Sequence, residues 1–423
     1  DSNAAVNATL TNNPGSGVVF DTSGSVRFDT LAGLTADALG DSLNLGLVGA
    51  GGVAKSAASI GGTTNAVTGS ISGTVGGDLV INTQSNYRAI SNSDAAAGGL
   101  LGSGGSNTAS AVVTPVLNAG IGSGGNITAG RDVIVNNISA GDALARSDGV
   151  NVAGTFAFSG SDATARVRPD MDTLIGNADV AAGRNLSVLA SHNDGGAQDA
   201  TAYANASGGS FAFTGVGANS LAQSSADMTT TLGGASADLR AGTGDFSVAT
   251  RSGHFATAEG YGLAVGGLLG KGNASADAIV GGTLTNAGTN AYTHDNQSTT
   301  IAAGTGIVAG GDVSIQNISN QSAATDTTAP AGGLIGAASN DSNAIAARNL
   351  GTSMLGSGIT AGGNILISGA TSGGARATSD ATSFGLVSLG QALANAQASP
   401  TVAATAGGVL DAGGRITIRA SHD

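Results

Sequence analysis

Ile127-Thr-Ala-Gly130-Arg-Asp-Val133-Ile-Val135 returns along the chain as Val180-Ala-Ala-Gly183-Arg-Asn-Leu186-Ser-Val188 and as Ile307-Val-Ala-Gly310-Gly-Asp-Val313-Ser-Ile315. Two more copies are Ile359-Thr-Ala-Gly362-Gly-Asn-Ile365-Leu-Ile367 and Leu410-Asp-Ala-Gly413-Gly-Arg-Ile416-Thr-Ile418. The copy at Leu239–Val248 carries one extra residue, and Gly76-Gly-Asp-Leu79-Val-Ile81 and Gly24-Ser-Val26-Arg-Phe28 are reduced forms. With glycines 24, 76, 130, 183, 242, 310, 362 and 413 as anchors, the gaps are 52, 54, 53, 59, 68, 52 and 51 residues. Self-similarity at such a period marks a repeat architecture, in which each unit buries its apolar face against its neighbours.

Within the phrase, apolar-x-Ala reads as the end of one strand and Val-x-Ile as the start of the next, alternate residues facing inward. The glycine pair is expected to supply φ > 0 at a tight corner, and the following Asp or Asn to bond nearby backbone. Strand, corner and strand, repeated about eight times at roughly 52 residues, predict an all-β fold: a parallel β-helix, or β-solenoid. Residues 1–423 form one solenoid segment, read as part of a longer chain because no end cap is recognisable.

A second apolar block lies about 22 to 28 residues past each of the first seven anchors, as Gly46-Leu-Val48, Gly98-Gly-Leu-Leu101, Phe156-Ala-Phe158, Phe211-Ala-Phe213, Gly266-Gly-Leu-Leu269, Gly332-Gly-Leu-Ile335 and Phe384-Gly-Leu-Val387. A looser third block follows near Val112-Val113, Val167, Ile279-Val280 and Ile345. Read as successive rungs, the three blocks make each unit three coils and the whole a rod of about 110 Å at one rung per ~4.8 Å. The alternative is a solenoid with lateral β-hairpin flaps, one coil per unit, closed by the Gly-Gly block. Length variation between units is expected in loops such as Asn290–Thr300.

Composition narrows the function classes. Of 423 residues 72 are Gly, only 10% are charged and 3% aromatic, and Cys and Trp are absent. Glu259 is the one Glu, and Lys55 and Lys271 are the only Lys, so the best polar helix formers are missing. The net charge of −13 leaves no basic stripe for nucleic acid. No apolar run approaches the ~20 residues of a helical membrane span, so neither a nucleic-acid partner nor membrane insertion is expected.

The recurring Ile-x-Ala-Gly-Gly-Asn-Ile-x-Ile phrase, with Gly/Ala/Ser/Asn-rich spacers and no Cys, resembles the filamentous-haemagglutinin class of large bacterial exoproteins over residues 24–423. The resemblance implies a right-handed β-helix, exported by two-partner secretion or as an autotransporter passenger and displayed at the bacterial cell surface. It implies adhesion, aggregation or biofilm cohesion as the role. The partners it implies are an outer-membrane secretion partner and a ligand on a host cell, a polysaccharide or a neighbouring cell. Lateral or end-to-end self-association belongs to the same picture.

Candidate chemistry is sparse. His192 and His422 each fall nine residues after an anchor, in the echoing Ala190-Ser-His192 and Ala420-Ser-His422, and His254 sits at a similar place in its own unit, so these read as turn elements. His294-Asp295 reads as a pair in a polar loop. Asp78, Asp132, Asp245 and Asp312 recur once per unit at the corner, about 14 Å apart on the three-rung arrangement, and read as backbone caps. No catalytic, cofactor-binding or metal-binding set is therefore expected, no cofactor is implied, and the chain reads as a non-enzyme. A β-helical polysaccharide-degrading enzyme or phage tailspike is the alternative, signalled by three acids or bases clustered on one exposed sheet beside aromatic sugar platforms. A matrix-forming or ice-binding solenoid is a third, and it would need regular Thr-x-Thr ranks that occur only in isolation, as at Thr229-Thr-Thr231.

Overall fold

The computed structural model describes residues 2–3, 6–10, 18–196, 199–284 and 292–423. Its described residues form an all-β parallel solenoid in which one sequence unit makes one coil. Val133 pairs with Leu79 of the preceding unit and Leu186 of the following one, and the same anchor-to-anchor offset holds along the chain. The three-rung reading is thereby corrected. Each unit is a single wide, flattened coil, and the eight ranks stack to about 40 Å rather than 110 Å.

Each complete coil has two long walls. The first is continuous over Val26–Gly46, Leu79–Gly99, Val133–Ala153, Phe246–Gly266, Val313–Gly332 and Ile365–Phe384. The chain then reverses at the Gly-Gly block and returns along the second wall, as in Gly49–Thr68, Gly102–Ile121 or Phe156–Val167 continued by Asp170–Ile175. A short third segment, such as Asn126–Ala129 or Asp179–Ala182, leads back to the corner. Strands of some 20 residues run about 70 Å, several times the usual length. The two arms belong to facing sheets and bond to neighbouring coils, so they are not self-paired hairpin flaps. Among the described residues pairing is parallel except for Gly282–Leu284 against the start of Tyr292–Ile301.

Side-chain size falls along each coil as the walls converge. At the corner end, where three segments meet, Leu79, Val133, Leu186, Phe246, Val313 and Ile365 stack in one fully buried column. Farther along, where only two walls face each other, the interior is built mainly of small residues, alanine above all (Ala89, Ala143, Ala202 and Ala258) with buried serines such as Ser91, Ser147 and Ser161. At some positions even a methyl is excluded: a Cβ on Gly262 would lie 2.4 Å from the Asn273 carbonyl oxygen on the facing wall. This taper explains how a chain so poor in large residues excludes water from its interior.

Between the corner column and the alanine-rich zone runs a buried polar column, Thr30, Thr83, Asn137, Thr250 and Asn317, in register and interrupted by Ala190. The Asn137 amide donates to the carbonyls of Leu117 (3.1 Å) and Asp172 (3.0 Å) on the opposite wall. Asn317 does the same to Gln297 (2.8 Å) and Gly351 (3.0 Å). Thr30 and Thr83 reach across to the carbonyls of Asn65 and Asn118. A one-residue slip of either wall would leave these buried groups unpaired, so the column fixes the register of one wall against the other.

The corner departs from expectation in its physical cause. Positive φ occurs at other glycines, such as Gly124 (83°) and Gly304 (82°), and not at the anchors. The anchors are glycine because coils approach too closely there: a Cβ on Gly130, Gly183, Gly310, Gly362 or Gly413 would lie 2.1–2.4 Å from the carbonyl oxygen of the anchor one coil below. The corner Asp and Asn form an inter-coil ladder. The backbone N–H of Asp132 donates to Asp78 Oδ1 (3.2 Å), that of Asn185 to Asp132 (3.1 Å), that of Asp245 to Asn185 (2.9 Å) and that of Asp312 to Asp245 (2.8 Å). Asn364 and Arg415 continue it.

Candidate functional site

The second apolar block forms the outer edge of the slab rather than an inner rung. At each reversal the backbone keeps its inter-coil bonding, as in Leu101 N–H to Val48 O (3.0 Å) and Phe156 N–H to Leu101 O (3.1 Å). Both faces of the chain are committed to glycine-tight packing there, so the bulky turn residues point outward. Leu47, Phe211 and Leu386 are 84%, 86% and 85% exposed, and Val48, Leu100, Leu101, Leu268 and Leu334 share the edge. The rings of Phe156 and Phe213 from adjacent coils stack 5.5 Å apart and nearly parallel. No charged residue falls in 42–54, 95–130, 149–161, 206–226, 260–270, 327–340 or 381–410. The result is an uncharged apolar ridge running across successive coils, the kind of contiguous exposed apolar surface that marks an interaction site. The third block lies at mid-wall, with Val113, Val167, Val280 and Ile345 buried.

A second feature lies on the outer face of the first wall. Parallel register aligns Arg146, Tyr203, Glu259 and Asp326 in one column and Asp148, Asn205, Tyr261 and Thr328 in the next. Together they line a cleft of about 410 Å³. Arg146 Nε bonds Asp148 at 2.6 Å. Partial burial, and then the neighbouring Asp326 charge, push the Glu259 carboxyl above its usual range. Burial followed by Glu259 raises the Tyr203 phenol. Two tyrosine rings with three acids on one exposed sheet form the constellation set out above as the mark of a polysaccharide-acting solenoid. It was not legible beforehand, because these residues become neighbours only once the coil-to-coil register is known.

The corner acids occupy consecutive coils, so the 14 Å separation does not hold. Their charges are relieved by asparagine at every third corner and by arginine: Arg184 lies 2.7 Å from Asp132, and Arg131 lies 3.4 Å from Asp78. Burial opposes the Asp132 charge, but the Asn185 N–H and the Arg184 guanidinium hold its carboxyl below the usual range.

The histidines are not turn elements. His192 and His422 occupy one inward column of the first wall, with Ser139, Ser252, Ser319 and Thr371 between and beside them. His192 and His254 are fully buried, whereas His422 is exposed. His294 and Asp295 lie in the strand Tyr292–Ile301, whose Gln297 and Thr299 are buried, so this stretch is wall rather than loop. Asn290 and Ala291 lie outside the described residues. Burial, with Arg348 adding to it, lowers His192 to about 3 and His254 well below its ordinary value, so both rings are neutral. Among the described residues no helix is long and apolar enough to cross a membrane. No family model matches the chain, and neither a curated protein nor a solved structure matches it.

Proposed function

We propose that the chain is a segment of an extracellular bacterial adhesin or filament stalk of the filamentous-haemagglutinin kind, and that it acts by cohesion rather than by turnover. The observation that carries this reading is the uncharged apolar ridge. Its occupant is a second copy of the same chain, because a surface with the same ~4.8 Å coil repeat matches the ridge rung for rung over its whole length, whereas an irregular partner meets it at only a few points. The net charge of −13 lies away from the ridge and opposes contact elsewhere, which confines association to this edge. The corner phrase and its spacers support the same assignment by resemblance.

Sedimentation velocity tests it. The wild-type chain is expected to associate with rising concentration, and more strongly in salt, which screens the acidic faces and leaves apolar contact intact. The triple variant Leu100→Ser, Phe211→Ser, Leu334→Ser is expected to weaken association by about tenfold or more. Equal sedimentation of the two proteins would remove the reading.

The cleft favours a second reading, a polysaccharide-degrading β-helix in which Glu259, with its raised carboxyl, is the acid and Asp326 the second carboxylate. On that reading, reducing-end assays on acidic and neutral polysaccharides show turnover that Glu259→Gln abolishes. Absence of turnover with wild-type protein leaves the cohesive role.

A further inference from the structure

We propose that His192, Asp199 and His254 hold a divalent transition-metal ion of the zinc class inside the solenoid, as a structural staple between consecutive coils. Each offers one donor atom, these atoms all lie within 4.8 Å of one another, and all three residues are 0% exposed. Donors around tetrahedral zinc sit roughly 3.3 Å apart, so small side-chain rotations complete the set. Two imidazoles and a carboxylate suit zinc or its first-row neighbours and disfavour magnesium or calcium.

Several independent features point to a ligand. Neither ring nitrogen of His192 has a hydrogen-bond partner, nor has Nε2 of His254. Buried imidazoles left unpartnered are costly unless something else binds them. The Asp199 carboxylate is held as an acceptor by the Ser224 hydroxyl, the Asn193 amide and the Phe255 N–H (3.3 Å). The Ser224 hydroxyl also lies 3.1 Å from His254 Nδ1, so it orients both ligands from the opposite wall.

The chain departs from its repeat to put Asp199 there. His192 pairs with Ser139 but Ala200 with Ala143, so four residues have been added between them in this coil. The insertion opens on Asn193, the one described non-glycine residue with positive φ (45°). Asn193 is clamped to the coil below through both the N–H (2.9 Å) and the carbonyl (2.8 Å) of Gly141. Backbone strain held at one point by such contacts is found where geometry serves a site.

Arg348, also fully buried, is the neighbouring fixed cation, and its guanidinium is directed at the Ala226 carbonyl (2.5 Å) and Gln297 Oε1 (3.1 Å). Burial favours the protonated Asp199 carboxyl, and on binding the ion takes the place of that proton, leaving the negative charge that a dication beside Arg348 requires. With no solvent exposure at its ligands, the ion is enclosed as the coils close, so binding and folding are coupled.

The test is the metal content of the full chain folded with Zn²⁺ and then dialysed against a weak chelator. Elemental analysis is expected to give about one zinc per chain, and the Co²⁺ form a visible ligand-field spectrum of a low-coordinate site. Asp199→Asn, which keeps size and shape, and His192→Ala are expected to lose the ion while circular dichroism shows β structure. His422→Ala, at an exposed position, is expected to keep it. Wild-type protein that is folded yet retains less than about a tenth of an ion per chain would overturn the proposal. So would retention of the ion by Asp199→Asn and His192→Ala.

Discussion

Gly310→Val is expected to destabilise the solenoid by about 3 kcal/mol, seen as a lower urea midpoint and faster amide exchange in the coils on either side. A Cβ at this position would lie 2.2 Å from the Gly242 carbonyl oxygen and 3.0 Å from Thr243 Cα, both backbone atoms of the coil below. Neither can swing aside as a side chain would. Gly362, in turn, would place its own Cβ against Gly310 O at 2.1 Å, so the column has no slack in either direction. The corner must open, and with it the bonds from the Gly310 N–H to Ala241 O and from the Gly362 N–H to Ala309 O. The contrasting substitution is Gly217→Ala, where an added methyl meets nothing within 4 Å. It is expected to be neutral or to stabilise by up to about 1 kcal/mol, through lost freedom of the unfolded chain. Equal effects from the two changes would refute close inter-coil approach as the reason for the anchor glycines.

Phe246→Ala is expected to cost about 3–5 kcal/mol. Phe246 is fully buried between Leu186 and Val313 in the corner column. Coil spacing there is set by the backbone ladder, for example Phe246 N–H to Asp312 O at 2.9 Å. The neighbours therefore cannot settle into the space the ring vacates, and most of the cavity persists. Because repeat arrays lose stability locally, hydrogen exchange should place the damage in the coils around residue 246. A loss below about 1 kcal/mol would mean that the column collapses freely and the ladder is soft.

The repeat phrase disclosed the fold class because its logic is local: alternation, an obligate glycine and an acidic or amide corner all sit within nine residues. The number of coils per unit was not local in this way. Alternation such as Ala143-Leu-Ala145 or Ala163-Thr-Ala165 fits a short strand as well as a long one, strands of about 20 residues are rare, and nothing in the Gly-Gly-Leu-Leu block says whether leucine faces in or out. The structure decides this through wall separation, which a single chain does not express. The anchor glycines were recognised, but their cause was assigned to torsion when it is proximity. The same holds for the sites. Tyr203, Glu259 and Asp326 lie in three different units, and Asp199 meets His192 and His254 only because four residues were added in one coil. Histidine spacing within a unit carried no hint of that meeting.

One coil per unit has a mechanical consequence. When a single turn is peeled from the end of the stack, the rod shortens by only about 5 Å. The liberated segment, about 52 residues, pays out roughly 170–190 Å of slack when drawn taut. A tether built this way would yield under load by unspooling turn after turn, lengthening more than thirtyfold per rung surrendered while the rungs behind it hold firm.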